Sequence, residues 1–350
     1  MAVHYRIDQC KVGILKTAGG IPQQAVFGTA GAVTLDALEL AMDSIDINLD
    51  AKKEEYDTAL TGISTDDIAN HETHVYGSSP QFEINTPGGV VKQEIDVMLY
   101  AHTQSVTEGA TTPYSKTFVF PTTQPDFSAS AGYFATFIFR NPIASSSIKI
   151  TDSIGCAKLA FSIEAGDWLK ANQSWQGRGA AITAITANPA TGTWARSGRS
   201  GRYHYNNLTM LMDFGAGDQT IVKLGAISWE TNRAVGFIDG ASGDFANFAL
   251  GACKGTFNAR INYDANGRSA EVNYRDGTPI TVTLRWGNAS AGTVDGDLQF
   301  KFKVEVKECK RVSSENGLFA VDVSGAIVGD QATSSAMYQV IMANALDRTW

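Results

Sequence analysis

Five short stretches of this 350-residue chain carry residue types that could do chemistry. Each falls short of the pattern its chemistry needs. His71-Glu72-Thr73-His74 sets two imidazoles three residues apart around a carboxylate. On a helix such a pair shares a face and could hold a metal. The metalloprotease pattern H-E-x-x-H needs one residue more, and Asp66 and Asp67 just upstream favour a solvated polar loop. The run from Asp264 to Glu271, DANGRSAE, spaces its oxygens like the opening of a calcium loop. No Glu stands at the twelfth position, so a tight hairpin turn at Asn266-Gly267 is the simpler reading. Asp213-Phe214-Gly215 matches the metal-binding tripeptide of protein kinases, but no glycine-rich loop, V-A-I-K strand or H-R-D loop accompanies it. QGRGAA (176–181) lacks the third glycine of a dinucleotide fingerprint. In WARSGRSGRYHY (194–205), Arg196, Arg199 and Arg202 interleave with Trp194, Tyr203 and Tyr205. Such clusters can bind single nucleic-acid strands. Three arginines in a Gly/Ser stretch also suit docking onto an acidic neighbouring subunit, and that reading is preferred.

No nucleophile, histidine and acid fall into a recognisable triad order, and no carboxylate pair stands out. The expectation is a protein that is not an enzyme, with no catalytic, cofactor-binding or metal-binding residues. A net charge of −8 argues against a partner gripped through its phosphates, though not against nucleic acid sliding past. Hydrophobic residues make up 43% and charged residues 18%, with 34 Gly. That balance belongs to a folded chain and leans towards an assembly-type β protein. Cys10, Cys156, Cys253 and Cys309 are scattered without metal spacing and read as free thiols. The opening residues lack the apolar core of a signal peptide, and no run of about 18 apolar residues exists. Synthesis in a cytoplasm follows as an expectation.

The elements that would position these residues are mostly strands. Ile45, Ile47 and Leu49 alternate with Asp46, Asn48 and Asp50. Val91, Gln93, Ile95, Val97 and Leu99 alternate with Lys92, Glu94, Asp96 and Met98. Residues 114–120, 133–139, 146–150 and 157–165 continue the pattern, and it resumes after residue 220, with SAEVNYR read as a strand as well. Helical pattern is confined to 33–44, which reads as a short amphipathic helix or a strand lead-in, and to one turn within 64–74. The clearest alternation puts Phe300, Phe302, Val304 and Val306 on one face, and Lys301, Lys303, Glu305 and Lys307 on the other. A polar turn and a second alternating run complete a hairpin to Gly329. The fold class is mainly β, with few short helices. The divisions expected are an N-terminal arm (1–40), a first β domain (41–185), a linker (186–219) and a second β domain (220–350). The order of aromatic strand, Cys-bearing strand and alternating strand recurs in both halves and hints at duplication.

Four segments carry a resemblance to a known family. They are SIDINLDAKKEEYDTALTG (44–62), SIKITDSIGCAKLAFSIEAGDWLKANQSWQGRG (147–179), ISWETNRAVGFIDGASGDFANFALGACKGTFNARINYD (227–264) and MYQVIMANALDRTW (337–350). Together they resemble the major tail tube proteins of long, non-contractile-tailed bacteriophages, over roughly 40–185 and 220–350. The resemblance is one of pattern, without an invariant chemical motif. It implies a β-sandwich or barrel that assembles into stacked rings around a channel for double-stranded DNA. It also implies tape-measure, tail-terminator and distal-tail proteins as partners, and a virion location. A long loop between early strands, here Glu54–Pro80, would reach the next ring. Two tube-like units per chain would make a trimeric pseudo-hexamer, and one unit a hexamer.

A DNA channel should be acidic so that phosphates do not stick. Asp46, Asp50, Glu94 and Asp96 are the lumen candidates. The basic face of Lys301, Lys303 and Lys307 belongs instead on an outer wall or a seam between subunits. The alternative is another virion or cell-surface β protein, such as a capsid decoration protein, fibre or adhesin. An enzyme on a β-sandwich that uses its aromatic residues as a sugar platform is the remoter reading, since it would need a carboxylate pair in a cleft.

Overall fold

The structure, a computed structural model, describes residues 11–15, 37–40, 44–48, 52–57, 71–76, 81–86, 88–92, 95–103, 106–121, 135–140, 147–176, 183–185, 194–195, 201–232, 235–239, 245–250, 253–288, 292–313, 319–329 and 336–345. Strands come first: β1 (Lys11–Leu15), β2 (Ala37–Leu40), β3 (Ser44–Asn48), β4 (Lys52–Asp57), β5 (His71–Tyr76) and β6 (Gln81–Asn85). Helix α1 (Ile95–Thr103) precedes β7 (Thr107–Glu108), β8 (Tyr114–Pro121), β9 (Ala135–Arg140), β10 (Ser147–Ile163), β11 (Lys170–Gln176), β12 (Thr183–Ile185) and β13 (Trp194–Ala195). Then follow β14 (Leu208–Asp213), β15 (Asp218–Thr220), β16 (Lys223–Asn232), β17 (Val235–Asp239), β18 (Phe245–Leu250) and β19 (Lys254–Asn262). Helix α2 (Ala265–Asp276) leads to β20 (Ile280–Trp286), β21 (Leu298–Ser313), β22 (Phe319–Val328) and β23 (Ala336–Asn344). The chain is mainly β with two α-helices among the described residues, and neither helix is long and apolar enough to cross a membrane.

A closed barrel organises the second half. β14 pairs with β20, β20 with β21, β21 with β22, and β22 with β19, all antiparallel. The segment between β15 and β16 closes the circle: Ile221 donates to the Met210 carbonyl at 2.9 Å, and Asn262 donates to the Val222 carbonyl at 2.8 Å. Closure leaves these staves no open edge. The alternation read in β21 is real, with Phe300, Phe302, Val304 and Val306 buried and Lys301 and Lys307 exposed. The register shifts between Val306 and Glu308, and Gly325 sits opposite Val306. A Cβ at Gly325 would strike the Glu305 carbonyl, so only glycine lets the two strands approach there.

Strands of the first half join those of the second directly. β8 pairs with β23, and β10 pairs with β16. β11, β6 and β3 then extend the sheet outward from β10 in that order. β10 is 17 residues long and also pairs with β9 and β12 in a second sheet that holds β1 and β2. One core runs through both halves: Phe161 stacks on Trp229 at 5.3 Å, and Trp229 meets Phe300 edge-on at 4.9 Å. Each such buried ring stabilises the fold by about 1.5–3 kcal/mol. β14 and the start of β15 lie within the stretch expected as a linker, and β14 is a stave of the barrel.

Two local expectations are corrected, and a third is decided. Residues 95–103, read within an alternating strand, form α1. Period two would have set Gln93 on the apolar face, whereas helical spacing puts Ile95, Met98, Leu99 and His102 together, all buried. Residues 265–276, read as a hairpin turn and a strand, form α2. Asp264 caps it, accepting from the Asn266 and Gly267 amides at 2.8 and 3.2 Å, and Gly277 ends it at φ 66°. Within 33–44, read as either a short helix or a strand lead-in, Ala37–Leu40 is strand β2. The long polar segment Glu54–Pro80, expected as a loop, holds β5 and the end of β4, which pair as a two-stranded ribbon.

Candidate assembly surface

The site with the most extended order is the wet face of the sheet that runs from β3 through β6, β11, β10, β16 and β19 to β22 and β21. Strand registry aligns its outward residues in rows across the strands. One row reads Asn85, Asn172, Ala160, Glu230, Thr256 and Ala326, ending at Glu305. The next reads Lys170, Ser162, Ser228, Asn258, Ser324 and Glu308. A third reads Glu83, Ser174, Lys158, Asn232 and Lys254. Between the rows, Leu159, Phe161, Trp229 and Phe257 turn inward and are buried. The period of two thus divides each strand between core and water.

This face is small-residue, polar and internally paired. A shallow groove of about 590 Å³ runs along it, lined in part by Asn85, Asn172, Ser162, Ser228, Glu230 and Asn258. Lys158 pairs with Glu230 at 2.9 Å, Arg260 grips Asp322 with two bonds of 2.6 and 2.9 Å, and Lys307 meets Glu305 at 2.5 Å. Ser174 donates to Glu83, and Asn172 donates to both Glu83 and Asn85. Exposed pairs of this kind are each worth about 0–1 kcal/mol, so they neutralise the surface more than they stabilise the fold. Chemically the face can present a wall of balanced charge or receive a matching surface.

Of the four acidic lumen candidates, one is shown to lie away from it. Asp96 lies on α1 and is fully buried, which corrects its expected place on a wetted strand. Lys116 Nζ reaches Asp96 Oδ2 at 2.8 Å and Asn344 Oδ1 at 2.8 Å, with Glu108 at 3.3 Å. Asn344 in turn donates to Asp96 Oδ2 at 3.0 Å. This buried clip ties α1, β7, β8 and β23 together, and sequence reasoning missed it. Asp46 falls in β3 opposite Glu83, while Asp50 and Glu94 lie outside the described residues. Both signs of charge share the wet face, so it does not match the uniformly acidic wall expected.

Of the basic aromatic cluster, Arg202 is exposed, but Tyr203 and Tyr205 are core residues. Tyr203 packs against Trp286 at 5.6 Å, and burial pushes its phenol pKa up. Neither ring is available as a stacking platform for bases. Trp194 falls in β13, and Arg196 and Arg199 lie outside the described residues. His71 and His74 sit in strand β5, where the argument from a shared helix face does not apply. Asp213 ends β14 and accepts from the Gly215 and Gly217 amides at 2.8 and 2.9 Å, a turn-forming role. Gln176 ends β11, and the rest of QGRGAA is outside the described residues. Cys253 and Cys309 are half-buried and form no disulfide, and burial raises the Cys309 thiol to about 11. Cys156 lies within β10, and Cys10 is outside the described residues.

No protein family matches this chain, and no curated protein does. Among solved structures, a chain described as "Virion of native gene transfer agent (GTA) particle" is similar over 41% of this chain and 98% of its own length. The identity is 13% and the TM-score 0.28, a likeness too slight to carry a fold or a role across.

Proposed function

We propose that this chain is a virion structural protein without catalytic activity, and that copies of it assemble into the stacked rings of a phage-type tail tube. The observation that carries the reading is the wet sheet face, with rows of Asn, Ser, Thr and Ala whose interspersed charges are largely paired on the spot. A conduit for a polyanion has to avoid sticking, and a wall without unpaired basic rows meets that need. The tail-tube resemblance in sequence supports the same role. It brings with it double-stranded DNA as the passing cargo and tape-measure, terminator and distal-tail proteins as neighbours. β3 is paired only through β6 among the described residues, which leaves an edge on which a second copy could continue the sheet.

Negative-stain microscopy of the purified protein tests this directly. Hollow filaments of uniform diameter are expected, and native mass spectrometry of released rings should give three or six chains. Persistent monomers at high concentration, both alone and with a tail initiator complex, would overturn the tube. A capsid decoration protein would instead bind a capsid and form no filaments.

A further inference from the structure

The buried clip of Asp96, Lys116 and Asn344 has the groups and the geometry to react within itself. Lys116 and Asn344 lie on the neighbouring antiparallel strands β8 and β23, where registry sets Lys116 opposite Met342 and Tyr114 opposite Asn344. The two are diagonal neighbours on one face, buried with Phe118, Phe120, Val340 and Met342. Asp96, Lys116 and Asn344 are each 0% exposed. Lys116 Nζ stands 2.8 Å from Asn344 Oδ1. The amide carbon Cγ is one carbonyl bond of about 1.23 Å from that oxygen, which puts it about 4 Å from the amine at most. A small turn of the amide reaches the separation of about 3–3.5 Å from which bonds form. Asp96 Oδ2 touches both nitrogens that would exchange, accepting from Lys116 Nζ at 2.8 Å and from Asn344 Nδ2 at 3.0 Å. An oxygen set between an attacking and a leaving nitrogen is placed to carry protons from one to the other. Glu108 Oε1 also reaches Nζ, at 3.3 Å.

We propose that Lys116 and Asn344 become joined by an isopeptide bond, with Asp96 as the proton carrier. Asp96 Oδ2 first takes a proton from the Lys116 ammonium, and two buried charges become two neutral groups. The freed electron pair on Nζ attacks Asn344 Cγ and forms the Nζ–Cγ bond. Asp96 passes its proton to Nδ2, the Cγ–Nδ2 bond breaks, and the nitrogen leaves as ammonia. Nζ then returns one proton to Asp96, so the products are a secondary amide, a protonated Asp96 and free ammonia. No oxidant or further reactant is needed, and full burial keeps bulk water from the new amide. Until the bond forms, the three side chains act as the hydrogen-bonded clip described above. This is one self-modification per chain, without turnover, and it does not depend on the tube reading. It would fasten β8 covalently to β23 across the two sequence halves.

Intact-mass measurement and a peptide map of the aged, then denatured, wild-type protein test this. The chain is expected to be lighter by one ammonia, and trypsin, blocked at Lys116, should release residues 93–140 joined to 312–348. Unlinked 93–116 and 312–348 peptides after prolonged incubation of the folded protein would overturn the proposal. An ammonia loss that maps instead to a cyclised Asn-Gly pair, such as Asn266-Gly267, overturns it as well. The wild-type map requires no variant to fold, so it decides the bond alone. Asp96→Asn keeps the side-chain shape and is expected to slow the linkage by at least about a hundredfold. Linkage at the wild-type rate in that variant would overturn the proton-carrying role of Asp96.

Discussion

Asp96 and Lys116 are fully buried, and stripping two charges of water costs several kcal/mol per ion. Their hydrogen bonds to each other and to Asn344 offset that cost, so the loss of one partner leaves the other stranded. Asp96→Ala is expected to lower the unfolding free energy by about 3–5 kcal/mol, read from urea midpoints. Replacing both charges, as Asp96→Leu with Lys116→Met, should recover most of the loss. A single change that costs under about 1 kcal/mol would show that the clip is not a structural pin. The sequence offered no sign of this pair. Asp96 sat in an apparently alternating run, and its partners lie 20 and 248 residues away.

Helix α2 packs against β21, β19 and β22 and is tied to β21 by Arg311, whose guanidinium bonds both Glu271 oxygens at 2.5 and 2.8 Å. That contact holds the Glu271 carboxyl below its ordinary 4.5. A depressed carboxylate stabilises above its unfolded pKa, and the contribution is lost as pH falls through the folded one. Amide exchange protection along α2 should therefore weaken below pH 4.5, ahead of the barrel strands. Glu271→Gln should flatten that dependence, and an unchanged profile in the variant would assign the weakening to another group. α2 was partly legible: Asp264 and Gly277 are good helix boundaries in the sequence. The Asn266-Gly267 dipeptide, a strong turn signal, masked them.

Across the whole molecule, β8–β23 and β10–β16 stitch the two sequence halves into one sheet system with a shared core. Thermal and urea unfolding should give coincident single transitions by fluorescence and circular dichroism. Chains cut into 1–219 and 220–350 should be insoluble or unfolded when made apart, because each exposes strand edges and core that the other covers. Two separate transitions, or a soluble and folded 220–350 fragment, would restore the expected division into tandem domains. The linker expected at 186–219 illustrates the limit of local reading. Its Pro, Gly and Ser signal ends before Leu208, and β14 follows as a barrel stave.

By itself the sequence determined the mainly β class and the two-faced β21–β22 hairpin, because period-two alternation is a local property of the chain that burial then obeys. It also carried the resemblance that motivates the tube. Only the tertiary structure decided which face each charge occupies and which strands meet. Those outcomes depend on partners brought together from distant positions: Lys116 makes Asp96 an interior residue, and β10 makes β16 part of the first half's sheet. The aromatic cluster turned on the same point, since nothing local to Tyr203 says that Trp286 will bury it. Alternation tells a strand that it has an inside and an outside, and the fold chooses what each side faces.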